Sequence, residues 1–294
     1  MRVRANGLEF EVDDQGPRDG EPLLMIMGLG MQLIAWPDEL VAELVRRGFR
    51  VIRMDNRDIG LSSHLDHLGV PSLLRASLRH ALRLRVRSPY PLKAMADDAL
   101  GVLDQLGIPR AHLCGASMGG MIAQHIAAAH PDRVKSLTLI MTSSGARHLP
   151  QARPAVRRAL LSRPQGSDTA SRVNHAMRIW ALIGSPGYAP DPTRLRQRLT
   201  HSIERSWHPA GVARQLVAIA ADGDRSPLLG RITAPTRVIH GKDDALVPVH
   251  AAHDLVKKIE QAQADIIPGM GHDLPEALLP HIAEGIAQNA SRAG

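Results

Sequence analysis

Six short apolar runs, EPLLMIM, FRVIRMD, AHLCG, SLTLIM, PTRVIHG and ADIIPG, punctuate the chain, and between most of them apolar residues recur every three to four positions. The runs predict buried strands. The period of 3.6 in PDELVAELVRRG, MADDALGVLDQLG, MIAQHIAAAH and AAHDLVKKI, and in a last stretch, LPEALLPHIAEGIAQ, predicts helices. Strands joined by helices of this length form a mostly parallel central sheet with helices on both faces. The alternation stops after Ser144 and resumes at about residue 230. The intervening Gly145–Leu229 stretch is rich in arginine and proline and contains no convincing strand. In VNHAMRIWALIG, Val173, Met177 and Trp180 fall on one helical face. The expected organisation is therefore a framework of residues 1–144 and 230–294, with residues 145–229 inserted as a helical cap.

Composition adds limits. A chain of 294 residues with 44% hydrophobic content can bury a large core, so disorder is excluded as the default. The segment MRVRANGLEFEVDD lacks the apolar stretch of a secretory signal, and no segment approaches the ~20 apolar residues of a membrane span, so a cytoplasmic protein is expected. Cys114 is the single cysteine; it cannot form an internal disulfide or a multi-cysteine metal site, and a buried, inert thiol is expected.

The net charge of +7 is unevenly placed. Residues 64–93 carry +5 and residues 146–205 carry +8, which leaves the rest of the chain at −6. The basic character thus belongs to two segments, and no nucleic-acid-binding motif accompanies it. Within LLRASLRHALRLRVR, residues 73–87, Leu74, Leu78 and Leu82 form one helical stripe and Arg75, Arg79 and Arg83 the adjacent one. Such a helix can rest weakly on an anionic membrane surface or guide anionic substrates. The reading preferred from sequence is simpler: a helix packed on the body with its arginine face solvated.

Candidate chemistry begins at Gly115-Ala116-Ser117-Met118-Gly119, a G-x-S-x-G pattern between an apolar run and a helix. A serine on a forced turn needs small residues two positions away on either side, and Gly115 and Gly119 supply them. Two partners follow in the order acid, then histidine. Asp244 lies in HGKDDALVP and His272 in PGMGHD, each after a predicted strand, at the sheet edge where α/β proteins build sites. An acid orients the imidazole, and the imidazole takes and returns the serine proton. Asp243 is a rival acid; the end of the SLTLIM run, MTSSG, offers none.

Other chemistries fare worse. Gly28 and Gly30, with Asp55 about two dozen positions on, imitate a dinucleotide-binding unit, but Leu33 stands where a third glycine belongs. His250 and His253 have i, i+3 spacing without a third ligand, so neither a metal nor an organic cofactor is expected. Gly120 excludes a β-lactamase pattern, which requires lysine there. A catalytically silent ligand receptor is disfavoured by the intact set of Ser117, Asp244 and His272.

Taken together, G-A-S-M-G-G, DNRDIGLSS, G-K-D-D-A-L-V-P and G-M-G-H make the chain resemble the α/β-hydrolase superfamily over essentially its whole length. More narrowly, MGLGMQLIAWPDEL, VIRMDNRDIG and IPGMGHDLP resemble aclacinomycin methylesterase-like bacterial carboxylesterases. The resemblance implies a serine hydrolase of small-molecule carboxylic esters acting through an acyl-enzyme; thioester, lactone and carbon-carbon hydrolysis use the same triad and stay open. It also implies an oxyanion hole built from the backbone N–H groups of Leu29 and Met118. Many relatives have His-Gly where this chain has Met27-Gly28, a change that leaves a backbone donor in place. Met27, Trp36 and Trp180 are candidates for the substrate pocket, with a place in the core equally open to Trp36, and Asp55 and Arg57 in DNRDIG are expected to fix the loop after the fourth strand rather than touch substrate.

Overall fold

In the computed structural model, which describes residues 1–293, the apolar runs lie side by side in one eight-stranded sheet. Its strands are β1 (Arg2–Ala5), β2 (Leu8–Gln15), β3 (Glu21–Ile26), β4 (Phe49–Met54), β5 (Ala111–Ala116), β6 (Val134–Ile140), β7 (Thr236–Gly241) and β8 (Ala262–Ile267). The spatial order is β1-β2-β4-β3-β5-β6-β7-β8, with β3 to β8 parallel. Helices α1 (Asp38–Arg46), α2 (Leu73–Ala81), α3 (Leu92–Gln105) and α4 (Met118–Ala129) precede β6. Between β6 and β7 lie α5 (Pro154–Leu160), α6 (Thr169–Ile183), α7 (Pro192–Arg205), α8 (Pro209–Asp222) and α9 (Ser226–Leu229). Then come α10 (His250–Lys258) and α11 (Leu279–Ser291). No helix among the described residues is long and apolar enough to cross a membrane.

Strand geometry explains why the runs are apolar throughout. Successive side chains point to opposite faces, so Leu24, Ile26, Ile52, Met54, Leu113 and Leu139 pack against α3, α4 and α10. Leu23, Met25, Val51, Cys114, Ile140 and Ile239 pack against α1 and α11 on the other face. Burying both faces demands an apolar residue at nearly every position. Cys114 has no accessible surface, and burial pushes its thiol well above the ordinary range.

β1 and β2 were not among the apolar runs because they form an antiparallel edge hairpin with one wet face. Val3, Ala5, Phe10 and Val12 are buried, while Arg2 and Arg4 stand opposite Glu11 and Glu9. Their signal was alternation plus Asn6-Gly7, whose φ values of 50° and 77° suit a two-residue hairpin turn.

The basic helix α2, with the turn after it, leaves Arg75, Arg79 and Arg83 in solvent. It packs on the body, but through Ala76, with Leu73 beside it, against Val217, Ala220 and Ala221 of α8. Its leucine stripe faces solvent: Leu74, Leu78 and Leu82 are 80%, 58% and 60% exposed.

On β5, His112 is buried, with Nδ1 at 2.8 Å from Ser136 Oγ and its ring perpendicular to that of Phe49. Burial pushes its pKa down from 6.5 to about 4. The unfolded chain therefore binds this proton first. The stability contributed is fully present above pH 6.5 and is lost as pH falls through about 4. At 1.36 kcal/mol per unit this is about 3 kcal/mol. Urea unfolding at neutral and acidic pH should show His112→Gln with a correspondingly flatter dependence; an unchanged slope would refute the assignment.

Candidate active site

Ser117 occupies the one-residue link between β5 and α4, with φ 53° and ψ −118°, a left-handed backbone that L side chains rarely adopt. The turn brings strand and helix so close that a methyl group on Gly115 would lie 2.4 Å from the Gly119 carbonyl oxygen. One on Gly119 would lie 1.9 Å from that of Ile26. Glycine is required at both places by contact with backbone that cannot retreat. The strained peptide is pinned on both sides. Ser117 N–H donates to the Ile140 carbonyl at 2.9 Å, and Thr142 Oγ1 donates to the Ser117 carbonyl at 2.7 Å.

The ends of β7 and β8 supply the partners. His272 Nδ1 lies 2.7 Å from Asp244 Oδ2, and His272 Nε2 lies 3.1 Å from Ser117 Oγ. A carboxylate only accepts, so Nδ1 carries the proton and Nε2 is left with a lone pair facing the hydroxyl. Asp244 is itself held rigidly, its Oδ1 accepting the Leu246 and Val247 N–H groups at 2.8 and 2.7 Å. Both Asp244 and His272 are buried. Asp243 turns away, accepting the Gly269 N–H at 2.8 Å.

Sequence reasoning overlooked His240, four residues before Asp244. It is fully buried beneath the acid, with Nε2 donating to the Val247 carbonyl at 2.8 Å and lying 3.5 Å from Asp244 Oδ2. Burial holds its pKa below the ordinary value, so it stays neutral and leaves the carboxylate's charge for His272.

The loop after β3 closes the other side. A methyl group on Gly28 would be 3.1 Å from Ser117 Cβ, which puts the next amide, that of Leu29, beside the serine. Neither the Leu29 nor the Met118 N–H has a hydrogen-bond partner among the described residues. The Met118 amide is also the first of α4, at the positive end of the helix. The loop's shape is imposed from several directions. Asn56 Nδ2 donates to the Met27 carbonyl at 3.0 Å, and Asp55 accepts the Leu33 N–H at 2.6 Å. From α8, the buried Gln215 accepts the Gly30 N–H and donates to the Arg57 carbonyl, both at 2.9 Å. From α7, Arg205 reaches Asp55 at 2.8 Å and also Gln32. Arg57 pairs with Asp98, at 2.7 Å between Nη2 and Oδ1.

The helices between β6 and β7 grip the histidine loop as well. His272 N–H donates to the Ile183 carbonyl at 2.7 Å, and Gly271 N–H to Ser185 Oγ at 2.8 Å. Ser185 in turn donates to Asp273, whose carboxyl is raised above its ordinary range by burial. Beside this loop is a cavity of about 300 Å³ lined by Trp180, Tyr188, Leu195, Asp273 and Leu274. Trp180 thus reaches open space while also packing, like Val173 and Met177 of its stripe, with Leu195, Leu199 and Ile203. Trp36 is different. It has no accessible surface and belongs to the core against α1 and α11, as does Met27. Met118 is fully buried in the opposite core, and Leu29 packs at its edge.

Among the described residues, one group could bring three metal ligands together: His64, Asp66 and His208. Its members satisfy each other: Asp66 Oδ1 meets His208 Nε2 at 2.8 Å and Arg214 Nη2 at 3.1 Å, and the two imidazoles stack at 3.8 Å. His250 and His253 are not part of it.

Comparison with known proteins identifies the family of the fold. The sequence matches the α/β hydrolase fold family over residues 21–276. It is 29% identical over 293 residues to the rhodomycin D methylesterase DauP of Streptomyces sp. (strain C5), covering 92% of this chain and 91% of that one. It is 30% identical over 277 residues to a 2-hydroxy-6-oxononadienedioate/2-hydroxy-6-oxononatrienedioate hydrolase of Cupriavidus pinatubonensis, covering 92% and 88%. Among solved structures, a meta-cleavage product hydrolase from Pseudomonas fluorescens shares the fold with a TM-score of 0.77 at 19% identity, over 100% of this chain and 98% of that one.

Proposed function

The chain belongs to the α/β hydrolase fold family, and from that premise we propose that it hydrolyses small-molecule carboxylic esters with Ser117 as nucleophile, His272 as acid-base and Asp244 as its orienting acid. The observation that carries this reading is the continuous relay from Asp244 through His272 to Ser117, at 2.7 and 3.1 Å, ending on a serine held at positive φ. His272 Nε2 removes the Oγ proton as Oγ bonds to the ester carbonyl carbon. The carbonyl oxygen becomes an oxyanion facing the Leu29 and Met118 amides, each such donor being worth about 3 kcal/mol in the transition state. On collapse, the bond to the alcohol oxygen breaks and His272 returns the proton to it. A water molecule, deprotonated by His272, then attacks the acyl-enzyme; the acid leaves and Ser117 is re-protonated. No metal or organic cofactor takes part.

In this reading, residues 145–229 act as a cap over residues 1–144 and 230–294. Support comes from the contacts of Ile183 and Ser185 with the histidine loop, and of Arg205 and Gln215 with the loop after β3. Trp180 and its cavity are the candidate acyl or alcohol pocket.

An ester substrate is favoured by the likeness to a methylesterase. Carbon-carbon bond hydrolysis is the second reading, favoured by the likeness to a 2-hydroxy-6-oxononadienedioate/2-hydroxy-6-oxononatrienedioate hydrolase, a name that denotes a vinylogous diketo acid in its enol form. A panel of methyl esters, p-nitrophenyl esters of graded chain length, thioesters, lactones and a vinylogous diketo acid separates them. Esters are expected to give the highest kcat/KM. Turnover of the diketo acid alone would replace the first reading with the second. Failure to react with every substrate and with a fluorophosphonate probe would leave a ligand-binding protein.

A further inference from the structure

Among the described residues, eleven large hydrophobic side chains are exposed, and seven of them, Leu61, Leu68, Val70, Leu74, Leu78, Leu82 and Leu84, fall between residues 61 and 84. A soluble surface scatters such residues singly; a cluster of this kind marks a contact surface. The same part of the chain has no Asp or Glu between Asp66 and Asp97, and carries Arg75, Arg79, Arg83, Arg85 and Arg87. None of these five is in an ion pair among the described residues, although Arg79 Nε donates to the Arg85 carbonyl at 2.7 Å. The orientation is built in. Ser72 caps α2 through the Arg75 N–H, and Ala76 and Val86 anchor the segment on Val217. Arg83, at φ 58°, turns the chain back toward the body. The leucines are thereby held outward at a period of four with arginines beside them.

From this surface we infer that α2 and the turn after it form a docking site for an anionic lipid bilayer. The chemistry fits a bilayer in both of its layers: leucine side chains enter the acyl boundary while guanidinium groups remain at the phosphate level. A second copy of the chain is a poor occupant, because it would bring an equal cluster of five positive charges against this one. Nucleic acid would neutralise the arginines and leave the leucines in water. This surface shares no residue with the Ser117, His272 and Asp244 set, and its occupancy is measured without any substrate, so the ester reading and this one fail separately.

The test is flotation of the full-length protein with vesicles of phosphatidylcholine alone or mixed with phosphatidylglycerol. Binding to the anionic vesicles should exceed that to neutral ones by about tenfold or more at low salt, and fall in high salt. Two variants divide the contributions. Leu74→Ser with Leu78→Ser, and Arg75→Gln with Arg85→Gln and Arg87→Gln, should each weaken binding by about tenfold. All of these side chains are exposed, so unfolding midpoints should match wild type and exclude misfolding. Equal, negligible binding to both vesicle types would overturn the proposal. So would anionic binding that ignores the leucine variant, which reduces the surface to nonspecific charge, or a leucine-dependent dimer in solution, which assigns it to a second copy.

Discussion

Ser117→Ala should lower kcat on an activated ester by about 10⁴- to 10⁶-fold, while KM and the unfolding midpoint stay close to wild type. The expectation follows from geometry. Among the described residues no other hydroxyl is hydrogen-bonded to His272 Nε2, and the removed atom is the one that would bond to the carbonyl carbon. What survives would come from the Leu29 and Met118 amides, which can still polarise a bound ester toward water. The measurement is initial-rate kinetics on pure protein, with fluorophosphonate labelling followed by intact-mass analysis. Retention of about a tenth of the activity would remove Ser117 from the role, since no oxyanion contribution alone reaches that level. The small residue at this turn must also keep its left-handed backbone, and alanine tolerates φ 53° no worse than serine does. A loss of activity accompanied by unfolding would therefore point to a different defect.

Arg214→Met should cost about 3–5 kcal/mol of stability, because it strands a carboxylate in the interior. Arg214 and Asp58 have no exposed side-chain surface, and the guanidinium grips both Asp58 oxygens at 2.8 and 2.7 Å. Burial by itself would raise the Asp58 carboxyl. The Arg214 guanidinium, the Leu65 N–H and the Tyr90 hydroxyl outweigh it and hold the group below the usual carboxylate range. Burial and the same carboxylate push the Tyr90 phenol up, so it remains a donor. For an acid whose pKa is depressed in the folded state, the stability gained is present above the ordinary carboxylate range and disappears as pH falls through the folded value. The acid limb of the stability profile should accordingly flatten in the variant. Urea unfolding at neutral pH measures the main effect; a change under about 1 kcal/mol would show that the site relaxes or admits water. Adding Asp58→Asn should restore part of the loss, because the stranded charge is then gone. The adjacent Gln215 holds Gly30, so the variant should also loosen the loop beside Ser117.

Much of this was legible in the chain itself. The six apolar runs became six parallel strands because a strand covered on both faces must be apolar at nearly every position. Ser117, Asp244 and His272 were legible as candidates because each follows such a run, and strand ends converge at one edge of a parallel sheet. The hairpin of β1 and β2 was missed because half of its residues face water, although Asn6-Gly7 marked its turn. Thr142, His240, Ser185, Arg205 and Gln215 were missed for another reason. Their partners lie far away in sequence or across a turn, and no local pattern distinguishes a glutamine that bridges two loops from one in water.

Sequence by itself determined six of the eight strands, the tight turn at Ser117 and the chain order of the three candidate groups, because these rest on periodicity, on steric demands next to one residue and on where strands end. Only the tertiary structure decided which carboxylate meets His272, which of Trp36 and Trp180 reaches a cavity, and which way the leucines of α2 point. Periodicity says that a helix has an apolar face; it carries no information about whether another element arrives to cover it. On α2 the small Ala76 makes the contact, and the leucines are left outside.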